Sequence, residues 1–168
     1  MREFNQKPPS PKGALRRLDP GARLVYAGFL AFLFCGLIAA GLLHYDGMGV
    51  SAATATAYWR GDEAQMVYPK SYRQILELTH FHLFTEPVVW LVVAHLYHLG
   101  RGRGWISMGT LAAIGAQIAL PWAVAYATPA AGVLLLPITA AVVLGLGFMI
   151  VDSLYELWCA RSPSSSPS

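Results

Sequence analysis

Between Thr79 and His98 the chain reads THFHLFTEPVVWLVVAHLYH, which sets four of its five histidines and a glutamate inside an otherwise apolar run. Imidazole and carboxyl side chains bind metals, hold haem iron and exchange protons near neutral pH. Their spacing sorts them into two groups. On a helix that turns about 100° per residue, Glu77, His80, His95 and His98 share one stripe with Phe84, Pro87 and Leu91. His82 and Glu86, four residues apart, fall on the opposite face. A helix with two polar stripes needs shelter from lipid on both sides, or opens one of them on water.

His80 and His95 lie about 22 Å apart along such a helix, one imidazole toward each surface of a bilayer. This disposition resembles b-type cytochromes that carry two haems in a four-helix bundle. The resemblance is one of architecture, and it implies haem b held through His80 at one level and His95 or His98 at the other. In those proteins a facing helix contributes the second histidine of each pair, whereas here the third and fourth apolar segments contain none. The remaining second ligands are His44 at the outer level, Met108 or Met149 at the inner one, or the same helix of a second copy in a homodimer; His/Met is an established haem ligation.

A transition metal without haem is the other cofactor these residues suit. His44, His80 and His82 with Glu77 make an imidazole and carboxylate set of the kind that binds zinc, copper or iron. H-x-H side chains diverge by about 200° on a regular helix, so His80 and His82 share an ion only where the helix starts irregularly. Glu77-x-x-His80 is half of a carboxylate di-iron motif, and the second half is absent.

His82 and Glu86 point to a third chemistry, a proton or ion pathway. Glu86 lies nine residues beyond Glu77, roughly 10 Å inside the hydrocarbon region, and its neighbour Pro87 cannot donate a backbone hydrogen bond to residue 83. A carboxyl group at that depth is costly unless paired. The plain alternative is a protonated Glu86 hydrogen-bonded to His82 or to the carbonyl that the proline frees. For His95 and His98 the plain alternative is a closing belt with Arg101, Arg103, Asp152 and Glu156.

The elements that must carry these groups are membrane helices. A chain of 168 residues that is 55% hydrophobic and only 12% charged is wrong for a soluble globule. The expected fold is all-α: an integral membrane four-helix bundle with helices at about 22–44, 75–99, 105–128 and 131–158, each long enough to cross roughly 30 Å of hydrocarbon. The long outer loop, 45–74, contains VSAATATAYW, which reads as a short surface helix. Residues 1–21 read as a flexible basic arm and 159–168 as a disordered tail. Small residues such as Gly36, Ala113, Gly115 and Gly145 suit close helix packing.

Nine of the twelve basic residues fall before the first span, in the second connection or in the tail, which places both termini in the cytoplasm, in a bacterial inner membrane. The first span is too long for a signal core and is expected to stay as an anchor. Cys35 and Cys159 lie too far apart along the bundle for a disulfide. No basic stripe interleaved with aromatics suggests nucleic acid, and no hydrolase, phosphate-binding, zincin or C-x-x-C signature suggests turnover by this chain alone. Three functions follow. One is a haem- or metal-binding subunit that passes electrons between quinone and a periplasmic redox carrier. Another is a proton or metal-ion pathway through His82 and Glu86. The third is a non-catalytic subunit or assembly factor of a larger membrane complex.

Overall fold

A computed structural model describes residues 13–158; the expectations for 1–12 and for the tail 159–168 lie outside that range. Five helices run in chain order: α1 (Pro20–Met48), α2 (Ala52–Arg60), α3 (Tyr72–Leu99), α4 (Gly104–Trp122) and α5 (Leu135–Trp158). No β-strand occurs among the described residues. The starts are written locally. Asp19 accepts from the Ala22 N–H with Pro20 in the first helical position, and Ser51 and Ser71 close capping boxes with Thr54 and Gln74. Gly49 and Gly61 end α1 and α2 at φ 66° and 82°, values that L side chains avoid.

α2 forms within the expected loop, where VSAATATAYW suggested a helix. The expected third helix departs from regularity at its far end. Pro121 has no N–H to give the Gln117 carbonyl, the backbone widens into a π-helical turn over Ala123–Ala127, and a 3-10 turn over Pro129–Leu134 leads into α5. Such widened turns occur mostly singly within α-helices; here Arg60 of α2 donates its Nη1 to the Val124 carbonyl at 3.0 Å.

α4 packs on α5, α3 on both, and α1 on α5. Three segments are long and apolar enough to cross a membrane: Pro20–Met48, Gly104–Ala127 and Pro129–Trp158. The molecule is an all-helical integral membrane protein. α3 has 28 residues, a length comparable to these, and is less apolar because it carries the histidines, Glu77 and Glu86.

At the end of the molecule that holds the α3–α4 turn, part of the expected free arm is folded. Leu15 is buried within a 3-10 turn, Ala14–Arg17, and the Gly13 N–H donates to the Gly100 carbonyl at 3.1 Å. Arg16 donates Nε and Nη2 to the two carboxylate oxygens of Glu156 at 2.5 and 2.9 Å, and Arg101 Nε adds a third contact at 2.9 Å. Glu156 is only 1% exposed. Its hydrogen bond pushes the Arg16 guanidinium further up, against the opposing effect of desolvation. The expected belt is thus rearranged: Glu156 and Arg101 belong to it, Arg16 joins it, and His98 instead meets Ser107 Oγ at 2.9 Å. Glu156→Ala is expected to free this turn, so that trypsin cuts after Arg16 and Arg17 about tenfold faster in detergent. Glu77→Ala, which removes only the exposed pair with Arg73, should leave that rate unchanged. Equal rates in both variants would show that Leu15 and the backbone contacts of Gly13 and Arg16 hold the turn without the ion pair.

Candidate functional site

The apolar interior is split in two. One core, toward the α3–α4 turn, gathers Leu30, Val93, Ile114, Val142, Leu146 and Met149. A smaller one, under α2, gathers Ala55, Trp59, Ile75, Val124 and Leu135. Near its change from one core to the other each long helix carries a polar residue. On α1, His44 stands between Leu37 and Met48; on α3, His82 and Glu86 stand between Leu78 and Val89; on α4, Gln117 lies between Ile114 and Leu120; on α5, Thr139 lies between Leu135 and Val142. Four sequence-distant segments thereby supply one polar layer.

A cavity of about 80 Å³ opens in this layer, lined by His44, Trp59, Thr79, His82, Gln117 and Thr139 among others. It has room for two or three water molecules at about 30 Å³ each. Gln117 Nε2 donates to Glu86 Oε1 at 3.0 Å, and His82 Nδ1 lies 2.8 Å from the same oxygen, without the alignment of a hydrogen bond. Trp122 Nε1 donates to Thr79 Oγ1 at 2.7 Å, while the Thr79 hydroxyl donates to the Ile75 carbonyl. His44 Nε2, Trp59 Nε1, Glu86 Oε2 and Gln117 Oε1 are buried without a protein partner among the described residues. Each such atom costs about 1–3 kcal/mol if nothing satisfies it. Of these residues His44, Trp59 and Gln117 line the cavity, and buried groups of this kind are ordinarily met by ordered water or an ion.

Glu86 is the deepest member. It lies fourteen residues along α3 from Tyr72, about 21 Å into a helix of about 42 Å. Beyond it toward the α3–α4 turn α3 contributes buried Val93, Ala94 and Leu96. The polar layer therefore reaches the middle of α3 from the α2 side and meets a dry core on the other.

The structure separates the expected metal set. His44 and His82 line the cavity. His80 is exposed and packs against the Phe84 ring at 4.9 Å, and Glu77 is exposed with Arg73 at 2.8 Å. The physical reason is that α3 is already a regular helix from Tyr72, so residues 80 and 82 diverge as they must. Among the described residues no three His, Cys, Asp or Glu side chains are placed to hold a metal ion. Of the expected haem ligands, His80, His95 and His98 are exposed, Met108 is exposed and Met149 is packed inside the core.

Gln117, Trp59, Thr79 and Thr139 were not legible as site residues. Gln117 had one signal: it is the only amide side chain in the 105–128 segment, and a lone amide among apolar neighbours needs a buried partner. Trp59 had none, since nothing local shows that α2 folds back over the cavity.

Fold and site together define a class: a helical membrane protein whose interior is interrupted, midway along α3, by a layer of ionisable and amide groups. The chain belongs to the Aq_1264_TM family, a transmembrane helical domain whose model matches residues 49–164. His44 on α1 precedes the matched region, whereas His82, Glu86 and Gln117 lie within it. No curated protein and no solved structure matches the chain.

Proposed function

We propose that the protein is a four-span bundle of the bacterial inner membrane, with both termini in the cytoplasm, in which Glu86 takes up a proton from the outer face through the cavity between His44 and His82. The observation that carries this reading is the polar layer, to which α1, α3, α4 and α5 each contribute. In support of the orientation, Arg16, Arg17, Arg23, Arg101 and Arg103 gather at the α3–α4 turn end, where Arg16 and Arg101 share Glu156 and Arg23 donates to the Arg16 carbonyl. Basic residues at one end favour the cytoplasm. In support of the fourth span, α3 packs against α4 and α5 and is long enough to cross.

His82 is placed to relay the proton. A neutral imidazole accepts on one nitrogen and donates from the other, and its Nδ1 is already at contact distance from Glu86 Oε1. Gln117 Nε2 donates to that same oxygen, and Oε2 has no protein partner among the described residues. The dry core beyond stops the proton midway, so onward release requires a rearrangement, for which Pro87 and Pro121, both inside helices, are the weak points. The redox reading, with haem b or a metal and with quinone or a periplasmic carrier as partner, draws on His80, His95 and His98 and gains nothing from their exposure.

Infrared difference spectroscopy on oriented proteoliposomes tests the proposal. A protonated carboxyl signal that is absent from Glu86→Gln should titrate with the pH on the outer side and ignore the pH inside. A signal that follows only the inner pH, or none that depends on Glu86, would reject it.

A further inference from the structure

The second polar stripe of α3 faces away from the rest of the chain. His80, Phe84, Leu91, His95 and His98 are exposed, with Phe84 and Leu91 at 66% and 60%. With Pro87, their spacing runs four, three, four, four, three, the alternation of threes and fours that places one seam along a helix against a second helix. The seam spans about 27 Å. His80 lies about 8 Å from the midpoint of α3, too deep to reach the headgroups, and an imidazole that faces lipid there loses both of its hydrogen bonds.

We infer that α3 pairs in parallel with α3 of a second copy of this chain, about a two-fold axis along the membrane normal. This rests on the four-span reading of the previous subsection. The argument for a second copy is complementarity at matched depth. A neutral imidazole carries one donor and one acceptor, so a histidine and its symmetry mate can share one N–H···N bond, which meets one of the two groups on each. A two-fold axis along the normal brings His80 to His80 and His95 to His95 with no adjustment of depth. An unrelated helix would need polar groups at both depths and the same seam spacing. The geometry also supplies His80 and His95 with opposite numbers, whereas His98 already meets Ser107 Oγ within the chain.

Cysteine cross-linking in membranes tests this. In a Cys35→Ser, Cys159→Ser background, Phe84→Cys and Leu91→Cys should each give a disulfide-linked dimer on mild oxidation, since a disulfide forms only where Cα atoms approach within about 7 Å. Leu144→Cys, on the exposed face of α5, should not. Adding His80→Ala and His95→Ala should lower the dimer yield severalfold. No dimer through positions 84 and 91, equal yield at 144, or an adduct whose mass shows another protein would overturn the pairing. A membrane-impermeant maleimide separates the two readings. If it labels Phe84→Cys and Leu91→Cys from water, α3 does not lie in the bilayer and the four-span proposal fails. If both are protected and still do not cross-link, only the dimer fails.

Discussion

Glu86→Gln is expected to abolish the outer-side proton response altogether while leaving the protein folded, with a stability change within about 1 kcal/mol. The amide has the shape of the carboxyl group and keeps an oxygen for Gln117 Nε2, now 3.0 Å from Glu86 Oε1. What it lacks is the ability to ionise. Glu86→Leu is a harsher change, because it strips the Gln117 amide of its acceptor in a buried layer, at a cost of about 1–3 kcal/mol. His82→Gln should slow the response without removing it, by about a hundredfold, the usual worth of a positioned proton-transfer group. Stopped-flow measurement with a pH-sensitive dye in proteoliposomes reads all three. A Glu86→Gln variant that responds like the parent would show that the acceptor lies elsewhere.

The largest structural effect is expected from Gly145→Leu, where α5 meets α4. A Cβ at position 145 would collide with Thr110 Oγ1 and stand 3.0 and 3.1 Å from Thr110 Cγ2 and Cβ. Thr110 is itself buried and tied by its hydroxyl to the Ile106 carbonyl at 2.9 Å, so it has little freedom to yield. A leucine must therefore push two spans apart, and overpacking of this kind costs about 1–3 kcal/mol or more. In a membrane the loss is felt fully, because close backbone approach is a principal source of helix association there. Thr110→Gly in the same chain should restore part of the stability, and the double variant should lose less than the two single losses combined. Unfolding in mixed detergent measures it; strict additivity would mean that the two residues do not press on each other.

The membrane character of the chain was readable from its residues because hydropathy is local: an apolar stretch of sufficient length spans a bilayer whatever surrounds it. The polar split of α3 was readable too, since the helical period alone puts His82 and Glu86 opposite His80 and His95. Periodicity says that two stripes exist and not which one faces inward. That choice depends on the neighbours, and the structure turns Ile75, Val93, Leu96 and Tyr97 inward, which carries His82 and Glu86 with them. The order seen at Leu15 and Arg16 was hidden for a related reason, as a polar, proline-rich leader holds no sign that a partner for Arg16 waits 140 residues away on Glu156.

Composition and spacing by themselves determined that this is a helical membrane protein, where its long apolar segments lie, and that one helix brings ionisable groups into oil. Only the tertiary structure decided which of those groups meet. It set His44, His82 and Gln117 around one cavity, brought Glu86 against His82 and Gln117, and left His80, His95 and Glu77 on the outside. The physical reason is that burial and pairing are properties of contacts between distant segments, fixed by how close small residues let the helices come and by the rotation of each helix about its own axis, neither of which any single segment records.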